Sequence, residues 1–123
     1  MNNIFNNILL PGFVLLALDV LFISTTSDLF KKQIFSVQKS PMKVNIYGAL
    51  FAYVLLIFAI SYFVIIPRKD IIYAMLLGFT IYGIYEGTTY ALLKDWKLQT
   101  LLIDTMWGGI LFGLTTYITY ALQ

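Results

Sequence analysis

Apolar residues gather into four long stretches, near residues 8–27, 44–66, 71–93 and 98–122, separated by short runs that hold most of the charge. Each stretch has about 20–25 residues, enough to cross a hydrocarbon core about 30 Å thick at 1.5 Å per residue. Backbone polar groups in lipid must be satisfied within their own segment, so the stretches are predicted to be helices. No period-two alternation argues for strands. The fold class is therefore all-α, a polytopic four-helix transmembrane bundle in a single domain spanning 1–123. The first stretch is read as a retained span and not as a signal peptide. Residues 1–7 carry no Lys or Arg, Asp19 interrupts the apolar run, and no small-residue cleavage motif follows.

The connections differ in kind. Residues 67–70 and 94–97 are tight turns, so spans two, three and four are expected to be sequential antiparallel neighbours. The connection 28–43 is longer. Within it Phe30, Ile34 and Phe35 share a helical face beside Lys31 and Lys32. Two readings stay open: a short helix lying on the membrane surface, or a continuation of the first helix beyond the bilayer. Orientation follows from the basic residues. Lys31, Lys32, Lys39, Lys43, Lys94 and Lys97 fall in the first and third loops, against Arg68 and Lys69 in the middle loop. The first and third loops are expected on the inner side and both termini on the outer side. Tyr47 and Trp96 would then belong to the inner interfacial belt, and Tyr62, Tyr73, Tyr117 and Tyr120 to the outer one.

Composition sharpens the class and removes many chemistries. Hydrophobic residues make up 60% and charged residues 11%, against about 45–50% and 25% in soluble domains. With neither Cys nor His, disulfides, thiolate zinc sites, iron–sulfur clusters, His-ligated haem and imidazole catalysis are excluded. No Lys lies within a span to hold retinal as a Schiff base, and no Gly-rich phosphate loop is present. Ser and Thr lack a nearby base. No cofactor is implied, and an enzyme is not the favoured class. The net charge of +2 is small and spread over loops, which gives nucleic acid no binding face. The abundance of Ile, Asn, Tyr and Lys suggests an AT-rich genome, such as that of a virus or a protist.

Three acids interrupt the spans: Asp19, Glu86 and Asp104. Each costs about 2.5–3.5 kcal/mol at a helix centre, so each needs a reason. Counted from Asp28, Lys94 and Lys97, their depths are about 13, 12 and 10 Å at the helical rise. The three carboxyls are therefore expected to meet at one level, with Asp19 the most buried. Having no basic partner in a span, they would exchange a proton or hold a hard cation through oxygen ligands. The alternative is that they are neutral and hydrogen-bond between helices. Tyr82, Tyr85, Thr89 and Trp107 are the expected lining residues. Gly83 with Gly87, Gly109 with Gly113, and Gly48 with Ala52 offer small-residue faces for helix packing, within the bundle or in a homo-oligomer.

Tyr85-Glu86-Gly87-Thr88-Thr89, then Ala91-Leu92-Leu93-Lys94-Asp95-Trp96, then Asp104-Thr105-Met106-Trp107-Gly108 resemble an uncharacterised four-helix membrane family, the domain of unknown function family 2177. Its members carry Tyr-Asp-Leu-Thr-Asn, an aliphatic turn ending in Trp-Pro, and Asp-x-x-Trp-Gly. Leu16-Ala17-Leu18-Asp19 with Phe30-Lys31-Lys32, and Phe51-Ala52-Tyr53 with Val64-Ile65-Ile66-Pro67, extend the resemblance over nearly the whole chain. This sequence departs from the pattern at Glu86 for Asp, Thr89 for Asn, Phe22 for Trp and Lys97 for Pro. The resemblance implies a shared polar site at the three acids and supplies no function. Taken together, the residues favour a small protein for ion- or proton-coupled transport or conduction. A non-catalytic scaffold or assembly subunit, or a lipid-binding accessory, is the alternative.

Overall fold

The computed structural model describes residues 3–123, and every regular element among them is helical. Helix α1 covers Leu10–Gln38, α2 Ile46–Ile60, α3 Ile71–Leu92 and α4 Leu98–Leu122. A π-helical turn, Phe5–Leu9, leads into α1, and a second, Ser61–Ile65, continues α2. With these turns included, four helices are long and apolar enough to span a membrane. The second, third and fourth match the expected stretches within two residues at either end. The first does not. From Phe5 it runs unbroken to Gln38, 34 residues or about 51 Å, well beyond a 30 Å core. Of the two readings of 28–43, the structure has the helical extension over most of its length.

Gln33 explains why this extension is ordered. It is buried although it stands in a polar stretch. Its Nε2 donates to the Asp95 carbonyl at 2.8 Å, and its Oε1 accepts from the Lys97 amide at 2.9 Å and the Thr100 hydroxyl at 2.8 Å. Helix α4 has no side-chain cap of its own, so α1 supplies an acceptor at its start. Helices α2 and α3 begin with local caps. Asn45 accepts from the Tyr47 and Gly48 amides, and Asp70 from the Tyr73 amide. Lys39 closes α1 in the left-handed region at φ 61°, and Arg68 turns the chain between α2 and α3 at φ 58°.

Helix α4 is the hub. Helix α3 packs most extensively against it and α1 is bonded to it at its start and middle, whereas α2 meets the rest mainly near its end, through Ile60, Ser61, Val64 and Ile65. The expectation that each span packs along the next therefore needs correcting, because α3 takes α4 and not α2 as its partner. Glycines decide this. A Cβ on Gly78 would stand 2.2 Å from the Gly108 carbonyl, and one on Gly108 would stand 2.5 Å from Tyr82 Cβ. No residue with a side chain fits that crossing. Gly109 and Gly113 extend the same seam against Met75, while Gly83 only touches Thr105. Gly48 and Gly87 have open space where a Cβ would go. The core is the cluster Leu15, Ile60, Val64, Ile65, Ala74, Leu111 and Phe112. At the end carrying both termini, Tyr120 donates to the Lys69 carbonyl at 2.7 Å, Arg68 lies over the Tyr120 ring, and Gln123 bonds the Asn6 carbonyl.

Candidate functional site

All three membrane acids are buried, but in two tiers. Glu86, on α3, is completely enclosed, and the Trp96 indole N–H donates to its Oε1 at 2.8 Å. Its Oε2 has no hydrogen-bond donor among the described residues. The Asp104 carboxyl of α4, 8% exposed, lies within electrostatic reach of Glu86. Two buried carboxyls that feel each other hold both negative charges only at high cost. Asp19, on α1, forms the second tier. Tyr53 of α2 donates to its Oδ2, and the Trp107 indole N–H of α4 donates to its Oδ1 at 2.9 Å. Phe22 stacks on Trp107 with ring centres 4.5 Å apart and fixes the indole plane. Tyr82 lies within electrostatic reach of both Asp19 and Asp104 and bridges the tiers.

The expected single level at which three carboxyls meet is thus corrected. Asp28 is a poor depth marker because α1 does not end there. Gln33 is the residue of α1 level with the α3–α4 turn, and Asp19 precedes it by fourteen residues, about 21 Å at the helical rise. Asp104 follows Lys97 by about 10 Å, one turn short of Trp107. Asp19 therefore reaches Trp107 and not the acid pair. Nor is it the most buried acid, since Glu86 is. Among the described residues, no three His, Cys, Asp or Glu side chains converge closely enough to hold a metal ion.

The expected lining residues divide. Tyr82 and Trp107 stand in the site. Tyr85 is 60% exposed on the bundle surface, and Thr89 spends its hydroxyl on the Tyr85 carbonyl of its own helix at 2.8 Å. Three contributors were not anticipated. Trp96 was assigned to the interfacial belt, yet it folds in from the loop and is 6% exposed. Tyr53 is the one polar side chain in the middle of α2, a signal that was available. Gln33, flanked by Phe30 and Ile34, was a polar residue on an apolar face. A further polar group lies nearer the terminal end. Ser61, Thr115, Thr116 and Thr119 are buried with no partner for their hydroxyls among the described residues, the three threonines separated along α4 from Asp104 by the fully buried Leu111 and Phe112.

A family model described as "Predicted membrane protein (DUF2177)" matches residues 4–121. No curated protein and no solved structure matches the chain. The match runs through all four helices and both tiers of acids, and the chain belongs to this family of multi-pass membrane proteins of unknown function.

Proposed function

We propose that the protein carries protons, or a solute coupled to protons, across its membrane through the Glu86–Asp104 pair. The lysine-bearing loops would face the inner side. One observation carries this reading: two buried carboxyls, Glu86 and Asp104, lie within electrostatic reach of each other and no basic side chain among the described residues pairs with them. The only ion pair among the described residues is Lys39 with Asp95, exposed and 3.7 Å apart. An acid pair without a counter-charge holds one proton readily and both negative charges only at high cost. That asymmetry suits repeated loading and release of a proton. Asp19 is the third acid of the site, held by Tyr53 and Trp107 and coupled to Asp104 through space.

Flux in proteoliposomes tests the proposal, under separate proton, sodium and potassium gradients. The wild type would be compared with Glu86→Gln and Asp104→Asn at equal reconstituted amounts. Both amides keep the shape and can still hydrogen-bond, so both variants should fold. A proton-gradient-dependent flux that either substitution lowers at least tenfold is the expected result. No wild-type flux under any gradient, with all three proteins folded, would sink it.

A second reading, an assembly subunit, draws on α2. Its apolar face is largely uncovered, and Gly48 leaves open space for a neighbouring helix. Cross-linking of single cysteines along α2 in the native membrane would show a homo-oligomer or a partner helix on that face. Uniform labelling by lipid-soluble reagents along its whole length would speak against it.

A further inference from the structure

A cavity of about 460 Å³ lies where α1 leaves the bundle, lined by Lys31, Lys32, Phe35, Ser36, Pro41 and Met42. It is an open groove, with every lining residue but the half-buried Ser36 exposed. Lys39 ends α1 in the left-handed region, and Gln38 Nε2 then donates to the Ser40 and Pro41 carbonyls at 3.1 and 2.9 Å. Those two bonds turn the segment back over the last helical turns and set Pro41 and Met42 opposite Phe35. The α1 side of the groove therefore carries Lys31, Lys32 and Phe35 on one face, and the returning segment adds Pro41 and Met42.

Three further observations indicate what would occupy it. The first is depth. Gln33, the next residue after the lysine pair, is bonded to Asp95, Lys97 and Thr100. The cavity thus lies level with the α3–α4 turn, where the apolar helices stop and the charges begin. In a bilayer that is the headgroup layer. The second is unspent charge. Lys39 pairs with Asp95, whereas Lys31 and Lys32 pair with no acid among the described residues, although Asp28 stands one turn before them. The third is the mixed lining. Phosphate alone would need no Phe, Met and Pro, and an acyl chain alone would need no lysines.

We propose that this cavity is a binding site for one anionic phospholipid, its phosphate held by Lys31 and Lys32 and its upper acyl segments lying on Phe35, Pro41 and Met42. The site is separate from the acid pair and does not depend on its function. A lipid seated there would hold the α1 extension, and with it Gln33, against the start of α4.

Native mass spectrometry of the full chain tests this, with protein released from nanodiscs of equal phosphatidylglycerol and phosphatidylcholine. The wild type should retain phosphatidylglycerol preferentially. Replacing Lys31 and Lys32 by Gln should lower that preference about fivefold per lysine. Phe35→Ala should weaken retention of long-chain phosphatidylglycerol but not of a short-chain analogue. Lys43→Gln with Lys94→Gln, at the same end of the molecule, should leave the preference unchanged. Both lysines are exposed, so the double variant should fold, which its thermal melt would verify. Equal retention of the two lipids would overturn the site. So would an equal loss in the Lys43 and Lys94 control, because the attraction would then be diffuse. Displacement of the lipid by millimolar inorganic phosphate would likewise overturn it, showing a free-anion site.

Discussion

Helices α2 and α4 both span the membrane and have opposite roles. Half of the membrane-crossing window of α4 is buried, against 22% of that of α2. Yet α2 is the more apolar of the two. What α4 buries includes Thr100, Asp104, Thr105, Thr115, Thr116 and Thr119, with Gly108, Gly109 and Gly113 between them. Helix α2 leaves Leu50, Phe51, Val54, Leu55 and Phe58 at the surface. In water this arrangement would be inverted. In lipid an apolar side chain gains little by leaving the acyl chains, so packing selects residues that lipid excludes and residues small enough for close approach. The centre of this protein is where its polar and its smallest residues coincide.

That contrast is open to a direct challenge by placing one bulky residue in each helix. A Val at Gly108 would set its Cβ 2.5 Å from Tyr82 and 2.6 Å from the Gly78 carbonyl, a backbone atom that cannot step aside. We expect a loss of about 3 kcal/mol, the upper range for overpacking. A Cβ at Gly48 meets nothing within 4 Å, and the expected change for Val there is within about 0.5 kcal/mol. Thermal unfolding of the two variants in the same detergent would rank them. Equal effects would mean that α3 and α4 do not meet at Gly78 and Gly108.

The next largest effect concerns the acid pair. Trp96→Phe removes the indole that donates to Glu86 Oε1, the other oxygen of this completely buried carboxyl having no hydrogen-bond partner among the described residues. The expected cost is about 2 kcal/mol. Tryptophan fluorescence should show the loss of a buried emitter, and the melting temperature should fall. A neutral outcome would mean that Glu86 draws its stabilisation from Asp104 alone.

The helices were legible in the sequence because length and apolar continuity define a span without reference to its neighbours. Partner choice was not. Glycine pairs spaced by four were read within single helices, whereas the tightest approach joins Gly78 of one helix to Gly108 of another, a relation that no intrahelical spacing reveals. The three acids were legible because charge in a membrane span is conspicuous. Their grouping was misjudged because depth was counted from Asp28, a residue inside a helix that continues for ten more residues. Trp96 was placed by the habit of tryptophan at interfaces, and only the fold shows Glu86 within reach of its indole. Tyr85 was placed by adjacency to Glu86, but adjacent residues point about 100° apart on a helix, whereas Thr89, one turn on, spends its hydroxyl on its own helix.

The smallest effect is the most discriminating for α2. Tyr53 is the one hydroxyl through which the middle of this helix reaches the site. Removing it leaves Asp19 with the Trp107 indole still donating to its other oxygen. Tyr53→Phe should therefore cost only about 0.6 kcal/mol, the average for a hydrogen bond between membrane helices. That is well below the cost at Trp96, where no second donor remains among the described residues. Its structural consequence should be larger than its energy. With few other contacts along its middle, α2 would lose the bond that sets its rotation, and amide exchange should quicken along Ile46–Ile60 while α4 is unchanged. Phe51→Leu, on the exposed face two residues away, should do neither. If Tyr53→Phe instead quickened exchange in α4 as well, α2 would be part of the packed centre and the contrast between the two helices would fail.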